Sequence, residues 1–67
     1  MLAERLKTCR KKKNVTQKEV AQFLSISERA YQHYELSTSK PSYDILLSLA
    51  DYFDVSIDYL VGRSEKP

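Results

Sequence analysis

An all-α domain of five helices is predicted by three features of this 67-residue chain. It carries one glycine and two prolines, too few for a turn-rich β fold or a disordered segment. Its apolar residues recur at spacings of three and four rather than in alternation. Thr16, Ser27, Ser42 and Ser56 each stand just ahead of such a run, where a hydroxyl can cap a helix N-terminus.

Leu2, Leu6 and Cys9 fall at i, i+4 and i+7 and form the inner stripe of the first helix. Cys9 therefore reads as a small core residue; a reactive thiol needs an electropositive, partly exposed setting. Arg10, Lys11, Lys12 and Lys13 crowd the last turn, where cations complement the helix dipole. Asn14 suits the left-handed residue that ends such a helix, and Val15 supplies an apolar anchor. Thr16 and Glu19 form a capping box that opens the second helix. Val20, Ala21 and Leu24 mark its inner face, while Gln17, Lys18 and Gln22 are expected to lie outward.

The run Leu24–Ser27 breaks the period, and Ser27 caps a third helix with Glu28 in its first turn. Ala30, Tyr31 and Tyr34 take the buried positions there, leaving Glu28, Arg29, Gln32 and His33 on one outward surface. Residues 37–42 form a loop, because Pro41 prevents helix continuation. Ser42 caps a fourth helix bearing Ile45, Leu46, Leu49, Ala50 and Phe53, which ends at Asp54 or its neighbour. After Val55, Ser56 caps a last short helix containing Ile57, Leu60 and Val61, closed by Gly62. Residues 1–62 thus form a single domain and residues 63–67 a frayed tail.

Composition narrows the function. A chain this short buries only about 60% of its unfolded surface, which leaves little core from which to carve a catalytic cleft. With one cysteine and one histidine, it offers no intramolecular disulfide, no cysteine cluster and no metal-ligand set. No phosphate-binding glycine loop is present either, so neither enzymatic activity nor a cofactor is expected. No apolar run approaches the roughly 20 residues of a membrane span, and no apolar stretch follows the basic N-terminus as in a signal peptide. A cytoplasmic setting is expected. The net charge of +2 hides an asymmetry. Residues 1–40 hold nine Lys/Arg against four Asp/Glu, and residues 41–67 hold two against five. A basic half suits a phosphate-rich partner.

In this order and spacing, the pieces resemble the Cro/repressor-like helix-turn-helix family, or XRE family, of phage repressors and bacterial regulators. The match is carried by LKxxR at Leu6–Arg10, TQKEVA at Thr16–Ala21, the helix start at Ser27, then Glu35, Pro41-Ser42 and VSIDYL at Val55–Leu60. The resemblance implies a lambda-repressor-like DNA-binding domain. Its recognition helix, 27–35, would enter the major groove of double-stranded DNA at a near-palindromic operator. It implies a transcriptional regulator acting as a repressor and as a homodimer; with no second domain in these 67 residues, no small-molecule ligand is expected. Base contacts fall to Glu28, Arg29, Gln32 and His33. Phosphate contacts fall to Gln17, Ser37, Thr38, Lys40 and Tyr43. Arg10 and Glu35 correspond to the family's intramolecular ion pair, and Tyr59 and Val61 are candidates for the dimer interface. The rival is a protein-interaction module, an antitoxin or phage adaptor built on the same scaffold. The chain also departs from the family, which favours glycine where Asn14, Ser25, Ser37 and Asp54 stand, and a smaller aliphatic in place of Tyr34.

Overall fold

The computed structural model describes residues 1–67. It holds five helices: α1 (Leu2–Lys13), α2 (Gln17–Leu24), α3 (Glu28–Glu35), α4 (Tyr43–Phe53) and α5 (Ile57–Leu60). Four of the starts are set by hydroxyl caps. Thr16 Oγ1 accepts from Glu19 N at 3.1 Å, Ser27 Oγ from Ala30 N at 3.0 Å, Ser42 Oγ from Ile45 N at 3.3 Å and Ser56 Oγ from Tyr59 N at 3.0 Å. At α2 the box closes reciprocally, with Thr16 N donating to Glu19 Oε1 at 3.0 Å. Each such cap contributes about 1 kcal/mol.

The helix ends obey a second rule. Asn14, Ser25, Ser37, Asp54 and Gly62 have φ of 61°, 59°, 63°, 56° and 84°. The four non-glycine residues are the ones that stand where the resembled family is expected to carry glycine, and each takes the left-handed backbone despite its Cβ. For an ordinary residue the cost of that conformation is about 1–2 kcal/mol, and it is least for asparagine and aspartate. Ser25, joining α2 to α3, is therefore the strained member of the turn between those helices. Gly62 is constrained in another way, since a Cβ there would collide with the Met1 side chain.

Leu6, Cys9, Val20, Ala21, Tyr31, Leu49, Ala50 and Leu60 form one core. α1 lies at its centre, touching α3, α4 and α5, while α2 packs chiefly on α3. Leu6, Val20, Leu49 and Leu60 are wholly buried, and each stabilises the fold by about 1.5–3 kcal/mol. Ala3 joins the inner face of α1, a position the i, i+4, i+7 stripe passes over. Pro41 is buried as well and pins the loop between α3 and α4.

The segment after α5 is held at its beginning. Arg63 N and Ser64 N both donate to Asp58 O, at 2.8 and 3.2 Å. Arg5 Nη1 donates to Ser64 O and to Tyr59 O, each at 3.2 Å. Glu65, Lys66 and Pro67 are exposed. The frayed tail expected from Arg63 onward is thus bonded at Arg63 and Ser64, through the Asp58 carbonyl of α5 and, at Ser64, the Arg5 guanidinium of α1. No helix is long and apolar enough to cross a membrane.

Candidate nucleic-acid interface

α3 is short, and its orientation is fixed from inside. Tyr31 is wholly buried in the core, and Tyr34 meets the Tyr31 ring edge-on at 6.2 Å between centroids. With those two inward, the opposite side of the helix is set. Glu28, Arg29, Gln32 and His33 line one shallow depression together with Leu36. Glu28 and Arg29 are exposed, whereas Gln32 and His33 are half-buried. Leu36 is a residue that inspection of the sequence passed over. It is 64% exposed, and its i+7 spacing from Arg29 places it on the same stripe.

At the C-terminal end of α3, Glu35 fastens the helix to the rest of the domain. Its carboxylate is 2% exposed and accepts from Arg10 Nε at 2.8 Å, Arg10 Nη2 at 3.2 Å and Gln17 Nε2 at 3.1 Å. Arg10 also donates to Val15 O at 3.3 Å. The arrangement joins α1, α2 and α3 at one point. Burial alone would raise the Glu35 carboxyl, but the Arg10 guanidinium, the Tyr31 hydroxyl and the Gln17 amide together hold it below the usual carboxylate range. The Tyr31 phenol is driven far up, first by burial and then by the carboxylate beside it. Its hydroxyl is buried and completes no hydrogen bond of good geometry.

Gln17 differs from its expected outward orientation. It is half-buried, because its amide turns toward Glu35 rather than into solvent. Of the first-turn backbone N–H groups of α2, the Thr16 side chain takes that of Glu19, and those of Gln17 and Lys18 have no partner within the helix. Across the depression, Ser37 turns the chain back, and Thr38 bonds to His33 through both backbone and side chain. Lys40 and Tyr43 are exposed beyond it, Tyr43 at 66%. The phosphate-contact candidates therefore fall on two elements, the start of α2 and the α3–α4 loop with the first residue of α4. Lys11, Lys12 and Lys13 are exposed at the end of α1, and Lys13 Nζ lies 4.9 Å over the Tyr52 ring.

Tyr59 and Val61 lie elsewhere. Tyr59 is half-buried under Arg5, whose guanidinium sits 4.0 Å from the ring centroid. Val61 lines a groove with Met1, Leu2, Tyr34, Pro41 and Leu46. No three His, Cys, Asp or Glu side chains are grouped so as to hold a metal ion.

Comparison with known proteins agrees with the five-helix fold. The helix-turn-helix family model matches residues 6–60. The chain is 44% identical over 67 residues to an uncharacterized HTH-type transcriptional regulator of Bacillus subtilis, YqaE, with 98% of this chain covered and 58% of that protein. It is 42% identical over 64 residues to the HTH-type transcriptional regulator ImmR of the same organism, covering 96% of this chain and 50% of ImmR. The chain thus spans 58% of the length of YqaE and 50% of that of ImmR. Its fold is similar to that of the P22 c2 repressor protein, solved in complex with a synthetic operator, at a TM-score of 0.88 and 28% identity over 96% of this chain and 97% of that one. By sequence match over most of its length and by the form of its five helices, this chain belongs to the helix-turn-helix family.

Proposed function

We propose that this chain binds double-stranded operator DNA through α3 and regulates transcription as a repressor. The observation that carries the proposal is the stripe Glu28, Arg29, Gln32, His33 and Leu36, gathered on one face of a helix whose other face is locked into the core. A major groove admits a helix and displays a distinct donor and acceptor pattern for each base pair. Arg29 is suited to guanine O6 and N7, Gln32 to adenine, and Glu28 to cytosine N4. Leu36 offers an apolar surface to a thymine methyl group. Phosphate contacts come from the N–H groups at the start of α2, from Gln17, and from Ser37, Thr38, Lys40 and Tyr43; these position the protein without reading sequence. The similarity to a repressor solved with its operator supports the same reading.

The chain acts as a homodimer in this reading, with half-sites about 34 Å apart, or a multiple of that, and with Tyr59 and Val61 at the subunit contact. Its setting is cytoplasmic. Selection of bound sites from random DNA tests base reading and half-site spacing together. The expected result is a near-palindrome whose binding weakens steeply with salt. Arg29→Ala should lose about 1–3 kcal/mol of discrimination at one base pair while helix content persists. One monomer bound per operator would refute the dimer. A flat salt response with no selected site would refute DNA binding and favour a protein-interaction module.

A further inference from the structure

We infer that Arg29 and Leu36 set a register in the operator half-site, a guanine and a thymine about three base pairs apart, with Leu36 reading the thymine 5-methyl group. This rests on the reading of α3 as the helix that lies in the major groove. Leu36 takes no part in packing. It is exposed and lies outside both the core and the partly buried apolar residues around it. The large apolar side chains left exposed are Met1, Phe23, Leu36, Tyr43 and Leu47, and of these Leu36 alone lines the depression of α3. The backbone fixes its place on the reading stripe. Leu36 keeps a right-handed helical conformation at φ −96° and ψ −2°, and its N–H donates to Gln32 O at 3.0 Å. The chain leaves the helix only at Ser37, at φ 63°.

The groove narrows what Leu36 can meet. Base edges there carry acceptors, amino donors and a single apolar group, the thymine methyl. Against an amino group or a carbonyl, leucine would strip away water and return no hydrogen bond. Only the methyl gains from the contact. Reach then sets the position. Seven residues at about 1.5 Å each put Leu36 about 10 Å from Arg29 along one stripe, two turns of helix away. Base pairs stacked at about 3.4 Å fit about three steps into that length. A guanine held by Arg29 is therefore followed about three base pairs on, toward the C-terminal end of α3, by the thymine, and Gln32 and His33 face the pairs between.

Synthetic operators and the 67-residue chain test this, because uracil in place of thymine removes the methyl and keeps every hydrogen-bonding group. After site selection, Arg29→Ala marks the guanine by relaxed preference there, and Leu36→Ala marks the thymine in the same way. The two should lie about two to four base pairs apart. Uracil at the marked thymine should weaken wild-type binding by about three- to fivefold, the transfer worth of one methyl group. It should leave Leu36→Ala unaffected. Cytosine at that position should also weaken wild-type binding, and 5-methylcytosine should recover part of the loss. A selected site that binds equally with thymine or uracil at every position overturns the inference and leaves the reading of α3 standing. So does a Leu36→Ala loss as large on the uracil operator as on the thymine one, which would set Leu36 against the sugar–phosphate backbone. If the wild-type chain selects no site, the reading of α3 falls and the inference falls with it.

Discussion

Glu35→Ala removes the carboxylate at which α1, α2 and α3 meet, and its cost can be worked from the contacts. The change deletes two hydrogen bonds from Arg10 and one from Gln17, and leaves the guanidinium with Val15 O alone. Breaking a buried pair from one side costs about 3–5 kcal/mol, because the surviving charge is left without its partner. The Arg10 side chain is 18% exposed, so water reaches part of it and the lower figure, about 3 kcal/mol, applies. A chain of this length has about 3–10 kcal/mol of stability in total. The substitution therefore unfolds the domain or lowers its melting temperature by about 12–24 °C. Urea unfolding followed by circular dichroism at the helix band checks this. With a slope of about 1 kcal/mol per molar, the midpoint should fall by about 3 M. A shift below about 0.5 M would refute the reasoning. The double change Arg10→Met with Glu35→Leu should be milder than Glu35→Ala, since no orphaned charge remains.

Three more outcomes are expected. Because the folded Glu35 carboxyl titrates below its unfolded value of 4.5, the folded state binds fewer protons there; the pair's stabilisation is complete above that pH and drains away as pH falls through the lower folded value. Glu35→Gln should therefore flatten the acid limb of a stability curve measured from about pH 6 to pH 3, and an unchanged slope would sink the assignment. Ser25→Gly relieves the left-handed strain at φ 59° but adds unfolded-state freedom, for a net gain of about 0.5 kcal/mol, whereas Ser25→Val should cost more than about 1 kcal/mol; urea midpoints rank the three. Cys9 is 6% exposed, and burial pushes its thiol up despite the charges of Lys12 and Arg5. A disulfide reagent should label it at least about a hundredfold more slowly than a free thiol, and labelling at the free-thiol rate would show that the core stripe is wrongly placed.

Much of the fold was legible because its signals are local. A capping hydroxyl bonds three residues ahead, and an apolar stripe repeats within one helix, so Thr16, Ser27, Ser42 and Ser56 mark their helix starts from sequence alone. Gathering of Glu28, Arg29, Gln32 and His33 on one face follows in the same way from Tyr31 and Tyr34 turning inward. What periodicity could not supply is contact between elements; of these, only the Arg10–Glu35 pair was anticipated, through the family resemblance. The turn of Gln17 toward Glu35 joins residues 18 apart, and no periodicity announces it. Arg5 reaching Tyr59 O spans 54 positions. Ala3 escaped notice because a small apolar residue adds little to a stripe, and Leu36 because it lies just past the last turn of α3. The bond between His33 and Thr38 depends on a left-handed serine between them, and serine is a weak sequence signal for that conformation.

The four residues of α5 have a consequence for the order of folding. A helix that short cannot nucleate by itself in water, so it forms only on a body already made by α1 to α4. Joining its end to α1 closes a loop of most of the chain, but that entropy grows only with the logarithm of length, so the late step is inexpensive. Docking is then governed by what α5 meets: the core through Leu60, and Arg5 through Tyr59. A second copy seated on Tyr59 and Val61 would bind only the docked form and draw the equilibrium toward it by mass action. Thermal stability of the domain would then rise with its own concentration, making the completeness of the fold a readout of how much of the protein is present.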